Sequence, residues 1–242
     1  MGIRTKAVIE TMIALSILFV MGIWSRAQVH NGDIRMFGLH QKKAAYSEYS
    51  GQAAEDGEVK KIALTFDDGP HPQYTQQLLD GLKERGVHAT FFVTGEHAEL
   101  HPDIILRMYE EGHLIGNHTY SHIQLRKDNR ETFKNELIKT NEIIEEITGK
   151  EVEYVRPPYG SWDKSFEKEL NMLPVLWNVD PLDWCSGNVS CIVDKIVSKT
   201  KENDIILMHD YYDTSVTAAL QAIDRLVEKG YTFVTVEEIL FD

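Results

Sequence analysis

Lys61-Ile-Ala-Leu-Thr-Phe-Asp67-Asp68-Gly69-Pro70 is an apolar run that delivers two adjacent carboxylates into a Gly-Pro turn. The apolar part reads as a short buried strand. Two acids side by side at a strand end repel each other, and desolvation adds to the cost. Such a pair therefore marks a metal site, a proton-transfer site or both. Asp, Gly and Pro are also ordinary turn residues, so this stretch taken alone fits a solvated turn equally well.

Downstream, β-prone runs alternate with helical patterns. Strands are predicted at 61–66, 89–93, 113–117, 153–155, 174–178, 204–208 and 231–234. Between them, 129–148 places Phe133, Leu137, Ile144 and Ile147 on one helical face, follows an Asp128 cap with Glu131 three residues on, and stops at Gly149. Leu78, Leu79 and Leu82 share a face before Gly86, as do Ala219, Ile223, Leu226 and Val227 before Gly230. A βα rhythm favours parallel strands joined by crossover helices. About seven βα units in this length predict an α/β fold, a distorted or incomplete parallel (β/α) barrel, with an open doubly wound sheet as the competing architecture.

In either architecture, the carboxyl ends of the strands converge on one face. Asp67 and Asp68 follow the first predicted strand, His118 and His122 the third, Arg156 the fourth, Asp180 and Asp183 the fifth, and His209 the sixth. Random surface polarity would not gather at one end of successive strands. His118 and His122 are four residues apart, close enough on a helical turn to bind one ion. With one carboxylate they would make a two-His-one-carboxylate site, which leaves positions open for water and substrate and suits Zn, Fe(II), Co or Mn. His71, His88, His97, His101 and His113 read as surface or locally bonded, and Tyr120 and Tyr159 as packing residues or sugar-stacking faces.

Outward from this core, the 242 residues are 43% hydrophobic and 26% charged, which is globular composition. The net charge of −13 argues against nucleic acid as a partner, because that affinity rests on clustered Lys and Arg. Arg4 and Lys6 precede an apolar stretch at 12–24, the layout of a signal peptide or membrane anchor over 1–27. Small residues at Ser25 and Ala27 fit cleavage, and an uncleaved anchor fits the apolar length equally. A polar, aperiodic linker follows at 28–58, and the catalytic domain is expected at 59–242. Cys185 and Cys191, the two cysteines of the chain, are expected to close a small loop as a disulfide if the domain is exported.

These motifs, taken together, resemble those of the polysaccharide deacetylases, the NodB-homology or carbohydrate esterase family 4 domain. They read Thr65-Phe-Asp-Asp-Gly69, His118-Thr-Tyr-Ser-His122, Arg156-Pro-Pro-Tyr159-Gly160, Asp180-Pro-Leu-Asp183-Trp184 and Leu207-Met-His209, in the family's order. The resemblance implies that Asp68, His118 and His122 bind one divalent metal, with zinc expected and Co, Mn or Ni as alternatives. It implies Asp67 as general base oriented by Arg156, the Tyr159 backbone N–H in an oxyanion hole, and His209 as general acid oriented by Asp183. Trp184 and Leu207 are then expected around the acetyl methyl group. The implied activity is removal of N-acetyl groups from N-acetylglucosamine residues of an extracytoplasmic polysaccharide. Peptidoglycan comes first, with chitooligosaccharide deacetylase or acetylxylan esterase as alternatives. A monomer is expected, in contact with the membrane through its N-terminal segment if that segment is uncleaved. An Fe(II) oxygenase would leave the base, arginine and acid set unused, and intact motifs speak against a non-catalytic wall-binding module.

Overall fold

The computed structural model describes residues 59–241, and within them parallel strands form one seven-stranded sheet. They are β1 (Lys60–Asp67), β2 (Thr90–Val93), β3 (Leu114–Asn117), β4 (Tyr154–Val155), β5 (Leu173–Pro174), β6 (Ile205–His209) and β7 (Tyr231–Val234). Their order is β5-β4-β3-β2-β1-β6, with β7 paired to the first half of β1. Five residues beyond β5, Val179 bridges to Ile206 of β6 at the opposite end of that order. The two edges therefore meet through one bridge. That is the incomplete barrel, and it rules out the open doubly wound sheet.

Helices α1 (Tyr74–Arg85), α2 (Gly95–Leu100), α3 (Pro102–Glu110), α4 (Arg130–Thr148), α5 (Ser165–Leu170), α6 (Val189–Lys199), α7 (Asp213–Val227) and α8 (Val236–Phe241) connect the strands. In α1 the stripe Leu78, Leu79 and Leu82 is buried, each side chain contributing roughly 1.5–3 kcal/mol, and the helix ends where Gly86 turns left-handed at φ 63°. Phe133, Leu137 and Ile144 do the same for α4, which ends at Gly149 with φ 69°, while Ile147 is half-buried. No helix among the described residues is long and apolar enough to cross a membrane. The expected signal or anchor at 1–27 and the linker at 28–58 lie outside the described residues.

The interior of the curl is layered. Ala63, Phe92, Tyr154, Val175, Ile205 and Val236 meet in one apolar cluster. Along β1, side chains two residues apart share a face, so Thr65 and then Asp67 stand above Ala63 toward the carboxyl end. Polarity thus rises along the same face that closes the core at the other end.

Two local expectations are corrected. The strand predicted at 174–178 stops at Pro174, because the carbonyls of Val175 and Leu176 accept hydrogen bonds from the Arg156 guanidinium (3.1 and 3.2 Å). At the start of α4 the cap position is Asn129, one residue later than Asp128, and its side chain bonds back to Arg126 N (2.7 Å) and Gln124 O (2.9 Å).

β3 passes close to its neighbours at Gly116, where a β-carbon would lie 2.6 Å from the Phe92 ring and 3.1 Å from the Tyr154 carbonyl. The carbonyl cannot move without breaking the sheet. Gly116→Ala is therefore expected to destabilise the domain by about 1–3 kcal/mol, read as a lower urea midpoint; an unchanged midpoint would contradict this packing.

Candidate active site

Asp67 is the last residue of β1, and its Cα pairs with Phe92 on one side and His209 on the other. Its Oδ1 accepts a hydrogen bond from Arg156 Nη1 at 2.8 Å. Arg156 follows β4, is completely buried, and also donates to Thr65 Oγ1 (2.6 Å), while its guanidinium lies 4.2 Å from the Phe92 ring centroid. Burial pulls the arginine pKa down and the adjacent Asp67 opposes that shift. Asp67 Oδ2 lies 3.8 Å from His118 Nε2, so the second oxygen of the carboxylate faces the histidine pair.

Asp68 leaves the strand with φ 73°, a left-handed conformation that sends it a different way from Asp67. Its Oδ1 lies 3.4 Å from Nε2 of both His118 and His122. Burial raises the pKa of Asp68, but the nearby imidazoles of His118, His122 and His209 outweigh it and bring it to about 2. Burial lowers the pKa of His122, against the pull of Asp68. His118 Nδ1 meets the Arg156 carbonyl at 2.6 Å, which assigns its proton to Nδ1 and leaves a lone pair on Nε2.

These three residues fit a divalent cation. Asp68 Oδ1 is buried without a hydrogen-bond partner, and one ligand atom from each residue falls in a common group within 4.8 Å. Ligands about 2.0–2.1 Å from a tetrahedral centre are spaced about 3.3 Å apart, close to the separations seen here. The donor set of two imidazoles and one carboxylate leaves coordination positions open.

His209 ends β6. Asp183, buried in the single turn Asp183–Cys185, accepts from both His209 Nδ1 and the His209 backbone N–H, each at 2.9 Å. Burial lowers the His209 pKa, but the hydrogen bond and charge of Asp183 dominate, with help from Asp67 and Asp68, and raise it to about 9. Asp180, which had no assigned role, accepts from Leu182 N (2.8 Å) and shapes the turn in which Leu182 sits at φ 61° just before Asp183.

Tyr159 lies in the one-turn helix Pro158–Gly160 with φ 60°, its ring 67% exposed and 5.1 Å from that of His122. Leu207 is buried on the same face of β6 as His209 and pairs in register with Thr65, whereas Trp184 is 54% exposed. The expected Cys185–Cys191 disulfide is not formed. Both thiols are free and exposed, with Cys185 Sγ directed to the Leu182 carbonyl (3.4 Å) and Cys191 held in the first turn of α6 by the Asn188 cap (3.1 Å).

Sequence reading missed several residues that hold this arrangement. Thr65 passes its own hydroxyl proton to the Ile206 carbonyl (2.7 Å) while accepting from Arg156. The Asn117 side chain accepts from Thr119 N (2.7 Å) and donates to Leu137 O (2.8 Å), pinning the loop of His118 to α4. His97 Nδ1 lies 2.8 Å from the Asp68 carbonyl, so it braces the turn and is more than a surface histidine. The available signal was a polar residue at the end of a buried strand, in Asn117; nothing in the sequence marks His97. His113 is buried far from these groups, accepts from Ala89 N (3.1 Å), and is kept neutral by burial, which lowers its pKa to about 4.

Comparison with known proteins agrees with this geometry. Residues 54–176 match the family model described as polysaccharide deacetylase. The chain is 41% identical over 184 residues to the peptidoglycan-N-acetylmuramic acid deacetylase PdaC of Bacillus subtilis, covering 76% of this chain and 39% of that protein. A solved structure of the peptidoglycan deacetylase PdaC aligns with a TM-score of 0.73, at 41% identity, over 76% of this chain and 92% of the solved one. A peptidoglycan-N-acetylglucosamine deacetylase of Bacillus cereus is 39% identical over 182 residues, covering 72% and 66% of the two chains. A chitooligosaccharide deacetylase of Rhizobium leguminosarum bv. trifolii is 41% identical over 191 residues, covering 72% and 88%. This chain thus spans well under half the length of the Bacillus subtilis relative. The barrel, the motif residues gathered at its carboxyl end and the family match over 54–176 agree, and the chain belongs to the polysaccharide deacetylase family.

Proposed function

We propose that this protein is a metal-dependent hydrolase that removes N-acetyl groups from N-acetylglucosamine residues of an extracytoplasmic polysaccharide, peptidoglycan first. One observation carries the reading. Asp68, His118 and His122, whose ligand atoms lie within 4.8 Å of one another, stand beside a carboxylate fixed by a buried arginine and an imidazole fixed by a buried aspartate. Peptidoglycan is favoured by the names of the Bacillus relatives, one of which acts on the muramic sugar, and by the basic, then apolar N-terminal stretch that fits export. Chitooligosaccharide is the second substrate, supported by the Rhizobium relative.

Asp68, His118 and His122 would hold a divalent ion, zinc by preference, which would supply Lewis acidity to lower the pKa of water and polarise the acetyl carbonyl. Asp67 Oδ2 takes the proton of the attacking water, because Oδ1 is committed to Arg156. The Tyr159 backbone N–H donates to the developing oxyanion. His209, cationic through Asp183, gives its proton to the departing amine, and Asp183 leaves Nε2 as the nitrogen free to deliver it. Leu207 and Trp184 border the methyl group of the leaving acetate.

Acetate release from peptidoglycan, chitooligosaccharides and acetylxylan, measured with the protein stripped by chelator and then reloaded, tests the reading. Release on the first two substrates is expected, lost on stripping and restored by zinc or cobalt, with Asp67→Asn lowering turnover at least 100-fold while still binding zinc. Absence of release with every metal would refute the activity. A second prediction concerns pH. The His209 pKa is raised from 6.5 to about 9 in the folded state. Its bond to Asp183 therefore adds stability that is full below pH 6.5 and is lost as pH rises through about 9. Asp183→Asn should move the alkaline limb of kcat toward neutral pH, and an unmoved limb would remove His209 from the acid role.

A further inference from the structure

Asp210 follows His209 directly, is completely buried, and has no part in the chemistry described above. One carboxyl oxygen, Oδ2, accepts the hydroxyl proton of Thr75 in α1. Thr75 Oγ1 in turn accepts the backbone N–H of His71 at 2.7 Å, and His71 Nδ1 accepts from Gln73 N and Tyr74 N, both at 3.2 Å, at the head of α1. The other oxygen, Oδ1, is buried without a partner. Gly69 packs so tightly on the Asp210 carboxyl that any β-carbon there would collide with it. On its far side the same turn is held by Thr94 N, which donates to the Gly69 carbonyl (3.1 Å), and by His97 at the Asp68 carbonyl.

We propose that Asp210 is a positioning residue, which with Thr75 clamps the turn bearing Asp67 and Asp68 to the strand end bearing His209 and so holds Asp68 in its cation-binding pose. This rests on the trio of Asp68, His118 and His122 binding a metal, as in the proposed function. The argument is one of degrees of freedom. Asp68 has a left-handed backbone, and a conformation of this kind persists only when its surroundings over-determine it. Thr94 and His97 hold one side of that turn, and Asp210 and Thr75 hold the other. Because Gly69 has no side chain, the carboxyl of Asp210 occupies the space directly against the backbone. Burial raises the Asp210 pKa to about 7 against the hydrogen bond of Thr75. It therefore buttresses the acid pair with less negative charge than an ordinary carboxylate would add at neutral pH.

The test is zinc affinity of the metal-stripped protein by calorimetric titration, with kcat and KM for acetate release on the reloaded protein. The variants are Asp210→Ala, Asp210→Asn, Thr75→Val and Thr75→Ser, with melting curves as a check on folding. Asp210→Ala and Thr75→Val are expected to weaken zinc binding and lower kcat about tenfold or more, the range for partners that orient metal ligands, with KM nearly unchanged. Thr75→Ser keeps the hydroxyl and should bind zinc as the parent does, as should Asp210→Asn, which keeps the volume and an acceptor. The double variant Asp210→Ala/Thr75→Val should lose no more than the worse single one, because both break one link. Parental zinc affinity in Thr75→Val and Asp210→Ala, even with lowered melting temperatures, would make the pair merely structural and overturn the proposal. So would losses that multiply in the double variant. If Asp210→Ala fails to fold, Thr75→Val, which removes only a hydroxyl, decides the matter. Zinc titration needs no substrate, so a parent that binds zinc but releases no acetate would refute the deacetylase reading and leave this test intact.

Discussion

A guanidinium taken entirely out of water must find acceptors for its N–H groups, and Arg156 finds them on two parts of the barrel. Nη1 bonds Thr65 and Asp67 of β1, while Nε and Nη2 bond the carbonyls of Val175 and Leu176 beyond β5. Its own carbonyl holds His118. One residue therefore joins the sheet where β4 and β5 are only two residues long, orients one member of the acid pair, and fixes the tautomer of His118. Removing either partner of such a pair strands a buried charge and costs about 3–5 kcal/mol. Stability and site geometry are consequently two aspects of one hydrogen-bond set.

Around that anchor the strand-end loops carry unusual backbone. Asp68, Thr119, His122, Tyr159 and Leu182 all have positive φ without being glycine. Each such residue costs of order 1–3 kcal/mol when its surroundings do not compensate. Here the compensation is visible: Asn117 holds Thr119, Asp180 holds Leu182, and His97 and Thr94 hold the turn after Asp68. The domain spends part of its packing on keeping these residues in conformations that an unconstrained chain would leave.

Most of the fold was legible because buried parallel strands and amphipathic helices announce themselves by periodicity. Runs such as Ile62 to Phe66, and the Leu stripe of α1, are long enough for burial to dominate local preference. β5 was misjudged because its pattern continues past Pro174, while the acceptor that ends the pairing is an arginine side chain distant in sequence. The site residues were legible as motifs, since chemistry restricts which side chains can serve. Their supports were not. Thr65, Thr75, His97 and Asp210 act through hydrogen bonds between segments far apart in the chain, and such bonds leave no periodic trace. The cysteines failed as a disulfide signal because a short sequence separation says nothing about whether a helix start and a one-turn helix point their thiols together.

The pairing of Asp67 with His209 across β1 and β6 has an evolutionary consequence. These two side chains start from Cα atoms on adjacent strands, about 4.8 Å apart in a sheet of this kind. Their spacing is thus inherited from the ladder of the barrel rather than from the loops that surround the groove. Loops can lengthen, shorten or change composition while Asp67 and His209 keep their separation. A scaffold built this way lets the strand-end loops diverge freely, because the spacing of these two residues is set by the sheet and not by the loops.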